Sequence, residues 1–170
     1  MILEQLREIY QHAGERCDVF IDPLNSAMDE FEINTVQRQA HFLAQVGHES
    51  GELRYVKELA TGKAYEGRRD LGNTEEGDGP RFKGRGLIQI TGRANYIKLA
   101  EALDMDCVIR PELIESRVNA CRSSAWFWKS HGLNELADAD DFLRITKRIN
   151  GGTNGIEDRR RLLELAKAVL

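Results

Sequence analysis

A mainly α-helical fold with a small glycine-rich lobe is predicted by three features of the chain. Apolar residues recur at steps of three and four through most segments, which is the signature of helices packed by one face. Between residues 60 and 92 glycines interrupt every such period, and only Leu87-Ile88-Gln89-Ile90-Thr91, flanked by Gly86 and Gly92, reads as a strand. At 170 residues the chain fits one domain, 1–170, and a domain of this size buries roughly 70% of its unfolded surface without help from disulfides or metals.

The elements follow in order. Ile2, Leu6, Ile9 and Ala13 line a helix over 2–13 that stops at Gly14. Asp22 as N-cap with Pro23 in the first helical position starts a second, whose buried stripe is Leu24, Ala27, Met28 and Phe31. Asn34 with Gln37 resembles a capping box for a third, which carries Val36, Ala40, Leu43 and Gly47 on one face and delivers His48 and Glu49 at its C-terminal end. The window 60–85 is an ordered loop or small lobe, and long loops in compact domains commonly carry function. Leu87–Thr91 is expected to pair with Arg81-Phe82-Lys83 through a turn containing Gly84, in a small hairpin. Helices are then expected over 94–103, 116–130 and 140–150, with a last one from Ile156 bearing Leu162, Leu165, Ala166 and Val169. Trp126, Phe127 and Trp128 fall on a helix and are expected in the core.

Composition excludes several functions. Twenty-eight acidic against 24 basic residues leave a net charge of −4, opposite to a phosphate-binding footprint, so no nucleic-acid partner is expected. Cys17, Cys107 and Cys121 are far apart and lack the short paired spacing of zinc or redox sites, and they read as buried thiols of a reducing compartment. Charges run through the N-terminus and no stretch approaches the ~20 apolar residues of a membrane span, so neither a signal peptide nor stable membrane insertion is expected.

Metal and cofactor motifs also fail. His48-Glu49 lacks a second histidine four residues on, where Glu52 stands, and four histidines in all supply no third ligand to His41 and His48; no metal is expected. Gly84-Arg85-Gly86 precedes a strand instead of following one, and Gln89 stands where a dinucleotide fingerprint needs glycine, so no cofactor is expected. Asp70, Asn73 and Asp78 do not match a calcium loop.

What remains is a pair of carboxylates in unlike settings, the requirement for cleaving a glycosidic bond. Glu49 ends an apolar helix, a partly desolvated place, whereas Glu58 stands at the edge of the glycine-rich loop. On one unbroken helix their nine-residue spacing would put them on opposite sides, so Gly51 has to break the helix and turn Glu58 back.

The stretch Phe42-Leu43-Ala44-Gln45-Val46-Gly47-His48-Glu49-Ser50 is followed in order by Tyr65-Glu66-Gly67-Arg68, Gly84-Arg85-Gly86-Leu87-Ile88-Gln89-Ile90-Thr91, Asn95-Tyr96, Ala125-Trp126-Phe127-Trp128 and Ile149-Asn150-Gly151-Gly152. Together these resemble glycoside hydrolase family 19, which holds chitinases and the lysozyme-like endolysins of phages, over about residues 25–160. The resemblance implies a lysozyme-like, two-lobed helical domain with a cleft, and an inverting mechanism with Glu49 as general acid, Glu58 as general base and Thr91 holding the attacking water. It also implies sugar contacts from Gln89, Asn95, Tyr96 and Asn150, with Tyr65 and His48 on the same binding surface and His48 more an orienting group than a proton carrier. Arg159 or its neighbour Arg160 is implied as the arginine that supports the carboxylates. Asn154 stands where the chitinases carry an acidic residue, and the wording of residues 65–74 resembles the phage and prophage branch.

The substrate expected from that branch is the glycan strand of peptidoglycan, cut at its β-1,4 bonds. The enzyme is expected to be a monomer, made in the host cytoplasm and acting on the wall after release through a membrane hole made by another protein. A chitinase sharing the same catalytic residues, and an inactive saccharide-binding module, are the alternatives.

Overall fold

The computed structural model, which describes residues 1–170, is helical almost throughout. α1 (Leu3–Ile9), α2 (Arg16–Glu30) and α3 (Val36–Ser50) form the first half of its frame. α1 is shorter than its periodicity predicts. At Tyr10 the backbone leaves the helix, and the buried phenol donates to the carbonyl of Leu43 at 2.7 Å.

α2 starts at Arg16, and Pro23 lies within it instead of opening it. Cys17, Phe20, Leu24, Ala27 and Met28 are all buried at helical spacing, and this packing outweighs the hydrogen bond that proline cannot donate. The N-cap of α3 is Thr35, whose hydroxyl accepts from the Arg38 amide at 3.2 Å, and not Asn34.

Between α3 and α5 the chain makes short 3-10 turns at Lys63–Tyr65 and Arg69–Leu71 and a one-turn helix, α4 (Asp78–Arg81). The expected hairpin is reduced to two isolated antiparallel bridges, Lys57 with Arg85 and Arg85 with Ile90. Arg81 is used by α4, and the positive φ of Gly86 (102°) turns the chain directly after Arg85, so Arg85 takes the place expected for 81–83.

The second half comprises α5 (Arg93–Leu103), a 3-10 segment at Pro111–Glu115, α6 (Arg117–Ser130), α7 (Leu133–Asp138), α8 (Phe142–Asn150) and α9 (Ile156–Val169). α7 had no sequence signal, because six residues are too few to show a helical period. No helix is long and apolar enough to cross a membrane.

Two clusters of buried side chains divide the fold into lobes. The larger contains Leu6, Leu24, Phe42, Leu43, Trp128 and Leu162, drawn from α1, α2, α3, α6 and α9. Trp128 stands edge-on to Phe42 at 5.4 Å and donates its indole N–H to Asn134 Oδ1 at 2.9 Å, so its polar atom is satisfied inside the core. The smaller cluster gathers Phe82, Ile90, Tyr96, Leu99 and Cys107 beneath the glycine-rich segment. The three cysteines are buried and unpaired, and burial pushes their thiols upward, Cys107 to about 11.

Candidate active site

Glu49 and Glu58 line one cavity of about 460 Å³, together with Tyr55, Lys57, Tyr65 and Gln89. What brings them there is the end of α3. Gly51, Glu52 and Leu53 all have positive φ, at 58°, 52° and 68°, so three left-handed residues in succession reverse the chain after Glu49. Glycine adopts this conformation freely, but Glu52 and Leu53 do so at a cost of about 1 kcal/mol each.

Tertiary contacts hold them in place. The Glu52 carboxylate accepts from the backbone amide of His12 at 2.6 Å and from Arg161 at 3.3 Å, while Leu53 is buried and its amide donates to Ser50 Oγ at 2.9 Å.

Glu49 is fixed from behind by one buried guanidinium. Arg159 Nη2 donates to Glu49 Oε1 at 2.5 Å, its Nη1 to Gln45 Oε1 at 2.5 Å, and its Nε to the Asn154 carbonyl at 3.0 Å. Arg159 is 1% exposed and Glu49 24%, so the carboxylate reaches the cavity and the arginine does not. A carboxylate at the C-terminal end of a helix meets the negative end of its dipole, and Arg159 offsets that cost.

Of the two neighbouring arginines only Arg159 meets Glu49; Arg160 is exposed and stacks over the Phe142 ring at 4.8 Å. Gln45 was not singled out from the sequence. Its signal was there, a polar residue inside the apolar face of α3, and it is fully buried with its amide nitrogen donating to Thr146 at 3.1 Å.

Glu58 sits on irregular backbone. Its amide donates to the Gly84 carbonyl at 2.9 Å, and its Oε2 accepts from the Gly84 amide at 3.1 Å and the Tyr65 hydroxyl at 3.0 Å. Its other oxygen, Oε1, is buried and has no hydrogen-bond partner in the protein. Gly84 leaves room for this approach, since a Cβ there would lie 2.8 Å from Glu58 Oε2 and 2.5 Å from Gln89 Oε1 and would displace both side-chain ends. Burial, followed by the hydrogen bond to Glu58, raises the pKa of Tyr65, so the phenol remains a donor at neutral pH.

A second cavity, of about 310 Å³, adjoins the first through Gln89, which lines both. Thr91 and Asn95 line this second cavity, and the Asn95 side chain donates to the Thr91 carbonyl at 2.8 Å. Trp126 and Phe127, expected in the core, are half-buried and also line it, while packing against the small hydrophobic cluster; Trp128 alone of the three is fully buried.

Three residues expected on the substrate surface, Tyr96, His48 and Asn150, are not brought to these cavities. Tyr96 is fully buried; its hydroxyl donates to the Lys83 carbonyl at 2.5 Å and accepts from Arg85 at 2.9 Å, so it braces the backbone beside Gly84 and leaves no face for a sugar. His48 lies outside both cavities. Its Nδ1 pairs with Asp158 at 2.8 Å, and its ring packs on Gly155, where a Cβ would overlap it. Arg159, expected beside the carboxylates, is enclosed and bonds Glu49 without reaching either cavity. Asn150 lines neither cavity, and its Oδ1 accepts from the Asn154 amide at 3.2 Å, which shapes the turn leading into α9.

No family model matches the chain. The chain is 35% identical over 162 residues to a Haemophilus influenzae protein described as a glycosyl hydrolase family 19 domain-containing protein, a match covering 76% of this chain and 78% of that one. It is 33% identical over 129 residues to an endochitinase of Arabidopsis thaliana, covering 74% of this chain and 44% of the longer plant protein. Its fold is similar to that of chitinase C from Streptomyces griseus, with a TM-score of 0.78 at 22% identity over 99% of this chain and 75% of that one. It is also similar to a bacterial family 19 chitinase, with a TM-score of 0.77 at 22% identity over 97% and 94%. Kinship at this level of identity and coverage, joined to the two-lobed helical fold, makes the chain a glycoside hydrolase of family 19.

Proposed function

We propose that the enzyme hydrolyses β-1,4 bonds of peptidoglycan glycan strands by a single displacement with inversion. The observation that carries this reading is the unlike support given to two carboxylates on one cavity, Glu49 backed by buried Arg159 and Glu58 keeping a buried oxygen without a protein partner.

Glu49 donates its proton to the glycosidic oxygen as the bond from that oxygen to the anomeric carbon breaks. Glu58 accepts a proton from a water that adds to the same carbon from the opposite face, and solvent exchange then restores both groups. The Glu58 carboxylate, held through Oε2 by Tyr65 and the Gly84 amide, is the group assigned to the water. Inversion needs roughly 6.5–9.5 Å between the two carboxyl groups, enough for the water to enter. Thr91, across Gln89 in the adjoining cavity, is assigned to holding this water on the family resemblance alone. Gln89 and Asn95 are assigned to the sugars, and the enzyme to action as a monomer on the wall after release from the cytoplasm.

Peptidoglycan is favoured by the likeness of residues 65–74 to the endolysin branch. A second reading, hydrolysis of chitin, is favoured by the naming of the Arabidopsis and Streptomyces relatives as chitinases. Turnover of purified peptidoglycan and of chitin oligomers, with Glu49→Gln as control, separates the two. Release of new reducing ends from peptidoglycan, lost at least a hundredfold in the variant, is expected. Cleavage of chitin oligomers alone would replace the first reading by the second.

A further inference from the structure

The groove changes electrical character along its length. At the carboxylate end its charged groups are Glu49, Glu58 and Lys57, and Lys57 is already engaged by Glu115 at 3.1 Å. Beyond Gln89 no acidic side chain lines the wall, and the ammonium of Lys98 on α5 is there without an ion pair. Trp126 offers a half-buried aromatic wall in the same cavity, suited to the apolar face of a sugar ring.

Such a cavity is over-equipped for a neutral polymer. Chains of N-acetylglucosamine present amides and hydroxyls, and Gln89, Thr91 and Asn95 already answer those groups. Peptidoglycan differs in one respect that matters electrostatically: alternate sugars carry a lactyl ether extended by an acidic peptide.

We propose that Lys98 is a specificity-determining residue, a docking point for a carboxylate of the peptide substituent on a sugar held beyond Gln89. This rests on the peptidoglycan reading and names the part of that polymer the groove recognises. Lysine suits the task, since its compact ammonium offers three donors on a flexible stem and follows a mobile carboxylate without demanding a fixed fork. Because the group is solvent-exposed, it discriminates by a modest factor and its effect is screened by salt.

The test compares kcat/KM on peptidoglycan glycan strands bearing their peptides with kcat/KM on the same strands after their peptide carboxylates are capped as neutral methylamides, for the wild type, Lys98→Glu and Lys98→Arg. In Lys98→Glu the ratio of the two values falls about tenfold, in Lys98→Arg it is largely restored, and added salt erodes the wild-type preference but not that of Lys98→Glu. A ratio unchanged in Lys98→Glu, with the wild type cutting both substrates, would overturn the docking role while leaving the peptidoglycan reading intact. A wild type that cuts chitin oligomers and neither kind of strand would overturn both. Binding of a soluble muropeptide and of its methylamide-capped form to the Glu49→Gln variant, with and without Lys98→Glu, checks the same selectivity without turnover.

Discussion

Glu49 and Glu58 border one cavity, yet they are held by opposite kinds of structure. Glu49 projects from a four-turn helix and is gripped by an arginine inside the large lobe. Glu58 stands on irregular chain, gripped by a backbone amide and a tyrosine from the glycine-rich segment. Position is therefore bought for Glu49 with global stability, and for Glu58 with the local shape of one loop. In the proposed mechanism the one serves a leaving oxygen and the other a small water, and those two tasks need not share a means of support.

The largest expected effect follows from removing the grip on Glu49. Arg159→Met leaves Gln45 Oε1 and the Asn154 carbonyl without their donor and strips Glu49 of its counter-charge. A loss of about 3 kcal/mol in stability is expected from urea unfolding, with kcat lowered more than tenfold. Unchanged stability would show that α3 does not depend on this arginine and would break the contrast.

Tyr65→Phe probes the other side. It removes one donor from Glu58 and nothing from either core, so kcat falls about tenfold while stability stays within about 0.5 kcal/mol. A stability loss matching that of Arg159→Met would mean the loop is part of the global frame.

The smallest effect concerns acid. His41, on α3, is fully buried, with Nε2 on Asp140 Oδ1 at 2.6 Å and Nδ1 facing no partner, so a second ring proton would have nowhere to bond. Burial, working against the contacts with Asp140, lowers its pKa from 6.5. The unfolded chain thus binds the proton first: stability owed to neutral His41 is complete above about pH 6.5 and declines as pH falls through that value toward the folded pKa. In His41→Gln the slope of the urea midpoint between about pH 7 and about pH 5 becomes shallower. An equally steep slope in the variant would place the acid sensitivity elsewhere.

The same division explains what could be read in advance. Helices α3, α5, α6, α8 and α9 were legible because one buried stripe per helix leaves a periodic trace, and the identity of both carboxylates came with the family resemblance. The turn at Gly51-Glu52-Leu53 was legible only at its glycine. Glu52 and Leu53 adopt left-handed backbone because His12, Arg161 and the core hold them, and those partners are distant in sequence. Tyr96 was misplaced for a related reason: a tyrosine beside a sugar-contacting asparagine looks accessible until the fold turns it toward Lys83 and Arg85. Gln45 and Lys98 left weaker traces, one a polar residue within an apolar stripe and the other an ordinary surface cation, and only their neighbours in space give them meaning.

Gly84 carries one further consequence. The carboxylate of Glu58 and the amide of Gln89 both close on it, so the missing methyl group acts as a gauge for the gap between the group that would receive a proton and the group that would grasp a sugar. Widening or narrowing the slot for a different polymer therefore starts from this position, where adding a single carbon would shift both walls at once.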